Sequence, residues 1–330
     1  MTWLVTGGAG FLGVHLLRRL VERGLAARSL DLTPGAPDGV EEIVGDVRDE
    51  RILREALDGV DVVVHAAAAL PSGGDLEKTN VEGSSRLARL AAEHGARRAI
   101  LISSGVVYGV GASPYREEDV ARPIEGYGRS KLRAEEAWLA AAPAPMVLRP
   151  AAFIGPERLG VFGILFRWVR EGRRIYVLGD GSNRYQLLDV ADLVAAIVLA
   201  SESEAQGLLN VGGLVSGAVR GDLETLVAHA GSESRIVGLP AKPARAALTA
   251  LAAVRLSPLT TWHVRSANQD FVLDCARAAE VLDWRPTRSG AEALCCAYDW
   301  YVREGATRPA GTTHRSAWRE RGLSALRRLS

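Results

Sequence analysis

The stretch "TGGAGFLG", residues 6–13, follows the β-forming run "TWLVT" and opens the helical run "FLGVHLLRRLVERG". A strand that passes through three glycines into a helix is the context in which a glycine fingerprint carries meaning, and it narrows the fold more than any other part of the chain. Gly7 and Gly10 would permit the tight turn and let a pyrophosphate approach the backbone. Gly13 would let the helix pack closely on the strand. The helix start, at Phe11 and Leu12, would offer free N–H groups and the positive end of the helix dipole to that pyrophosphate. Leu12, Leu16, Leu17 and Leu20 form a helical stripe facing a sheet, and Gly24 ends the helix.

Asp31 closes the second β-forming run, "ARSLDL", about 20 residues further on, where a carboxylate accepts hydrogen bonds from the adenosine ribose of NAD. No arginine follows Asp31 directly, so the 2′-phosphate of NADP would meet repulsion without a partner. NAD is therefore the expected cofactor.

Strand-like and helical runs alternate through the first half: "DERILREAL", "DVVVHAA" and so on to "APMVLRP". This predicts an α/β fold with a doubly wound parallel sheet and helices on both faces. The regular alternation breaks after Pro150. The expected division is a nucleotide-binding domain over 1–150 and a smaller C-terminal substrate lobe over 151–330. Later sheet strands are interleaved with that lobe, because "RIYVL" and "LLNVGG" still read as strands. From Thr307 the chain carries six arginines against Glu320 alone. With Trp318, Leu323, Leu326 and Leu329 this basic tail, 307–330, reads as a solvated segment or a short amphipathic packing helix.

Charge and cysteine content limit the partners. A net charge of +1 on 330 residues supplies no long-range field to draw in nucleic acid or an anionic membrane. The apolar run "VADLVAAIVLA" is too short and too interrupted to span a bilayer and reads as a buried helix. Cys275, Cys295 and Cys296 are odd in number and lack metal-ligand spacing, which suits a reducing cytoplasm. No leader segment is expected before the first strand. A homodimer remains open.

Taken in order, "TGGAGFLG", Asp31, "GDVRD" (45–49), "HAAA" (65–68), "NVEG" (80–83), "SSGVVYG" (103–109), "YGRSK" (127–131) and "LRPAAFIGP" (148–156) resemble the extended short-chain dehydrogenase/reductases, the NAD-dependent epimerase/dehydratase group. The resemblance implies a Rossmann-type nucleotide domain. It also implies that Asp46 and Val47 contact the adenine, that Ala66, Ala67 and Ala68 line the cofactor, and that Asn80 supports the nicotinamide side. Ser104 aligns with the catalytic serine or threonine. His65 reads as a core residue at a strand end.

The chain has three lysines against 37 arginines, and one of the three, Lys131, stands four residues after Tyr127. That spacing puts both on one helix face. A lysine cation and a positive nicotinamide ring would lower the phenol's pKa and make Tyr127 a general base, with Lys131 also bonding the nicotinamide ribose. Ser104 would hold the reacting oxygen. Family members that dehydrate sugars carry acids directly after that serine, whereas this chain has Gly105 and Val106. Oxidation, reduction or epimerisation is thus expected in place of elimination. The first expectation is an NAD-dependent epimerase of a nucleotide-linked sugar, with Arg184 as a phosphate ligand. Ala152 and the displaced register of Arg184 favour the rival, a dehydrogenase or ketoreductase of a non-nucleotide alcohol. A non-catalytic dinucleotide-binding regulator is the remaining alternative.

Overall fold

In the computed structural model the described residues are all except 71–72, 216, 254–258, 309–310, 312–313, 317 and 319–330. The elements run β1 (Thr2–Thr6), α1 (Phe11–Glu22), β2 (Ala26–Asp31), β3 (Glu41–Val44), α2 (Glu50–Leu57), β4 (Val62–His65), α3 (Gly83–Glu93), β5 (Arg98–Ile102), α4 (Gly126–Ala141), β6 (Pro145–Pro150) and β7 (Ala152–Ile154). They continue α5 (Gly160–Arg170), β8 (Ile175–Leu178), β9 (Leu187–Asp189), α6 (Val190–Glu202), β10 (Gly207–Val211), α7 (Val219–His229), β11 (Ile236–Leu239), α8 (Ala241–Ala253), α9 (Thr261–Ser266), α10 (Ala276–Leu282) and α11 (Gly290–Arg303).

Seven strands pair in parallel in the order β10-β6-β5-β4-β1-β2-β3. The chain works outward from β1 to β3, then returns through β4 to the other side, so the order reverses between β1 and β4. In such sheets ligands bind in the crevice at the carboxyl ends of the strands flanking that reversal. β4 and β5 are buried along their whole length, as continuous apolar runs in a sheet covered on both faces should be. The run at 190–200 forms α6, and its Leu193, Ala196, Ile197 and Ala200 are buried in the same core cluster as Ile100 and Met146. Among the described residues no helix is long and apolar enough to cross a membrane.

A second cluster gathers Phe166, Trp168, Leu226, Leu294 and Tyr301 from α5, α7 and α11. It lies beside two short parallel pairs, β8 with β11 and β7 with β9. β7 continues the chain directly from β6, so this cluster is tied to the carboxyl edge of the main sheet.

The basic tail, read as a solvated segment or a packing helix, packs against the body of the protein where it is described. Where it is described, its backbone bonds to the start of α5: the Leu159 and Gly160 N–H groups donate to the carbonyls of His314 and Ser316, at 2.8 and 3.1 Å. The amphipathic helix expected through Leu323, Leu326 and Leu329 lies outside the described residues.

Candidate active site

The glycine turn is shaped by close backbone approach. Gly7 has a φ of +74°, and a Cβ there would lie 2.7 Å from the Ala67 nitrogen. A Cβ on Gly13 would lie 2.1 Å from the Gly7 carbonyl oxygen, so α1 begins flush against the turn. Gly10 stands before α1 with no side chain to cap it, and the first turn carries no acid. The leading N–H groups at Phe11, Leu12 and Gly13 are left for an external anion. Asp31 braces this turn, its carboxylate accepting from the Ala9 N–H at 3.1 Å and the Thr33 N–H at 3.3 Å.

The other expected cofactor residues divide. Ala66 and Ala67 pack on Gly7 at the end of β4, with Ala68 following. Asp46 is engaged by Arg48, whose guanidinium donates to both carboxylate oxygens at 2.6–3.0 Å and holds the carboxyl below its ordinary pKa. Asp49, not Asp46, caps α2. Val47 buries its side chain among Leu30, Leu53 and Leu87. Asn80 is saturated within the protein: its oxygen accepts from the Ala69 N–H at 2.7 Å, and its amide donates to the Ala69 carbonyl and Ser130 Oγ at 3.1 and 3.0 Å. Asn80 therefore clamps the alanine segment to α4. His65 is core, bonded to Thr6 Oγ1 and Ser84 Oγ and stacked on Trp138.

Ser104 caps a short 3-10 turn, Gly105–Tyr108. Gly128, in the first turn of α4, sits against this turn; a Cβ there would lie 3.3 Å from the Val106 carbonyl. That contact brings the Ser104 segment to the Tyr127 end of α4. Gly105 faces Phe271 and Leu273, which a Cβ would meet at 3.1 and 3.3 Å.

Tyr127 and Lys131 both lie on α4, and both are pushed toward their neutral forms by burial. The Tyr127 phenol is raised to about 12 and the Lys131 ammonium lowered to about 8, the latter opposed by the charge of Glu135. The cation that counters burial at Tyr127 is Arg158, not the Lys131 that the spacing suggested. Glu135 in turn is held by Arg149 at 2.6 Å and accepts from Ser103 Oγ.

Arg158 went unnoticed in the sequence, although it stands only two residues past "LRPAAFIGP". Its guanidinium lies over the rings of Phe11 and Phe153, at 5.2 and 5.4 Å. Glu125, also unnoticed, accepts from the Trp262 N–H at 3.1 Å and so draws α9 up to the start of α4. Arg184, the expected phosphate ligand, is instead largely exposed and paired with Asp270 at 2.7 Å.

A glycine cradle at the reversal of a parallel sheet, beside a tyrosine and a lysine on one helix, defines a dinucleotide-dependent enzyme of the short-chain dehydrogenase type. The chain belongs to the NAD dependent epimerase/dehydratase family, whose profile matches residues 3–212. It is accordingly an NAD-dependent enzyme, and the uncapped turn fits that cofactor. Similar proteins include Uncharacterized protein y4nG of Sinorhizobium fredii, 31% identical over 98% of this chain and 85% of its own length. The human sterol-4-alpha-carboxylate 3-dehydrogenase, decarboxylating, is 31% identical over 60% of this chain and 57% of its own length. Among solved structures, UDP-glucose 4-epimerase from Thermotoga maritima with UDP-glucose superposes with a TM-score of 0.76 at 25% identity, over 92% of this chain and 99% of that one.

Proposed function

We propose that the protein is an epimerase of a nucleotide-linked sugar that works through a transient ketone. Tyr127 takes the proton of a secondary hydroxyl while the attached carbon gives up hydride; Ser104 holds the reacting oxygen. NAD, held at the uncapped glycine turn, would supply a reversible hydride acceptor, so that substrate and product would have the same mass. Lys131 orients the cofactor's ribose and supports the phenolate.

The observation that carries this reading is the packing at Gly105. Elimination of water needs an acid and a base beyond the tyrosine, and a side chain at 105 would press on Phe271 and Leu273. Glu117 does not substitute, because it is buried and accepts from the Asn210 N–H at 2.8 Å. The full-length likeness to a UDP-glucose epimerase supports the sugar class.

A second reading, oxidation or reduction of a non-nucleotide alcohol, is favoured by the pairing of Arg184 with Asp270, which occupies the cation expected for a sugar diphosphate. The likeness to a sterol dehydrogenase agrees with it. Incubation with UDP-, dTDP- and GDP-sugars, followed by mass and configuration, separates the two. Unchanged mass with inverted configuration is expected. A change of two hydrogens selects the dehydrogenase, and loss of a water mass overturns both.

A further inference from the structure

Beside Tyr127 lies a cation that the fold leaves unmatched. Among the described residues, the Nε and Nη1 atoms of Arg158 are buried without a hydrogen-bond partner. The acids on this side do not neutralise it: its chain neighbour Glu157 is engaged by Arg18 and Arg315, and Glu125, whose charge acts on Tyr127, bonds the Trp262 N–H. An enclosed guanidinium that keeps its charge without an anion is costly, and such groups are retained where a ligand supplies the counter-charge. Two histidines from distant parts of the sequence stand within its field. His263 lies on α9, and His314 lies on the tail segment that bonds to the start of α5. His263 Nδ1 accepts from the Thr260 N–H at 3.1 Å. In the neutral ring the proton must therefore sit on Nε2, which is left as a donor.

The tail segment is anchored to the glycine turn and to the start of α5. Arg315 donates to the Ala9 carbonyl, in the glycine turn, at 2.9 Å and also pairs with Glu157. A Cβ on Gly160 would lie 3.6 Å from His314 Nδ1 and 3.5 Å from the Trp318 ring, so the strap sits directly on the start of α5.

We propose that Arg158, His263 and His314 form an oxyanion subsite that takes a carboxylate or phosphate group of the substrate beside the carbon on which Tyr127 acts, with the 314–316 segment completing it. This rests on Tyr127 marking the reacting carbon. The substrate class is thereby narrowed to hydroxy compounds with an anionic group near the hydroxyl. Burial and the Arg158 charge hold both histidines neutral, His263 down to about 4 and His314 well below its ordinary value. An anion seated among them would reverse that shift.

The test uses the full chain loaded with NAD and labelled at histidine, with the imidazole resonances assigned by single variants. Sodium acetate and inorganic phosphate are titrated at constant ionic strength, with sodium chloride as control. Saturable shifts at His263 and His314 are expected, with their titration midpoints rising by about one pH unit or more. Whichever of the two anions saturates at lower concentration names the group. Arg158→Leu should abolish the response with NAD affinity unchanged, and His314→Phe should weaken the anion at His263 without touching NAD. The proposal is overturned if neither anion shifts the histidines. It is also overturned if Arg158→Leu costs about tenfold or more in NAD affinity, because Arg158 would then serve the cofactor diphosphate. Because this measurement needs no turnover, a failed nucleotide-sugar assay leaves it standing.

Discussion

At the scale of single residues, the proposed reaction turns on how charge is arranged around the Tyr127 phenol. Burial, with a smaller push from the Glu125 charge, raises the Tyr127 pKa to about 12, and Arg158 works against that rise. At neutral pH the phenol is therefore mostly protonated, and if it is the base proposed above, kcat/KM for oxidation should climb from pH 7 to 9. Tyr127→Phe removes the proton acceptor while keeping the ring, so turnover should fall by about 10³-fold with NAD affinity retained. A variant with near-normal turnover would exclude Tyr127 as the base. Asn80 shows the complementary case: a residue expected to face the cofactor has every polar group occupied and acts by holding Ala69 and Ser130 in place.

At the scale of elements, α4 is pinned to the sheet by a buried ion pair. Glu135, one turn beyond Lys131, meets Arg149 of β6 with both side chains at most 4% exposed, and Arg149 also donates to Tyr108 Oη at 2.9 Å. Removing one partner of such a pair strands the other's charge in the core. Glu135→Gln should cost about 3–5 kcal/mol in denaturant unfolding. It should also lower the Lys131 pKa below its present value of about 8, since Glu135 is the charge that opposes burial there. The loss of activity should thus be larger at pH 8 than at pH 6.5. Equal loss at both would show that Glu135 acts only through packing.

At the scale of the whole molecule, four histidines are held neutral by enclosure. His65 is lowered to about 3 and His263 to about 4; His15 and His314 are lowered as well. Their folded pKa values lie below that of the unfolded chain, near 6.5, so the unfolded state takes up protons first as pH falls. Stability should be flat above pH 6.5 on their account. It should decline between 6.5 and about 3, at about 1.4 kcal/mol per pH unit for each proton bound in excess by the unfolded chain. Thermal unfolding across pH 8 to 4 checks this. A melting temperature that does not fall below pH 6 would show that these rings are not buried in solution.

Local chemistry determined what the sequence could reveal. The positive φ at Gly7, the helical spacing of Tyr127 and Lys131, and the apolar runs that became β1, β4 and α6 each depend on residues within a few positions of one another. The parallel sheet and the glycine turn before α1 were accordingly legible. Only tertiary structure decided the electrostatics around them. Glu125 meets Trp262 across 137 residues, and Arg184 is taken by Asp270 across 86. Tail residue Arg315 reaches Ala9 across 306. The bond at Glu125 draws α9 up to the start of α4, whereas the pairing at Asp270 keeps Arg184 at the surface. Which cation reaches the phenol is a matter of burial and long-range packing, and neither leaves a periodic mark in the chain.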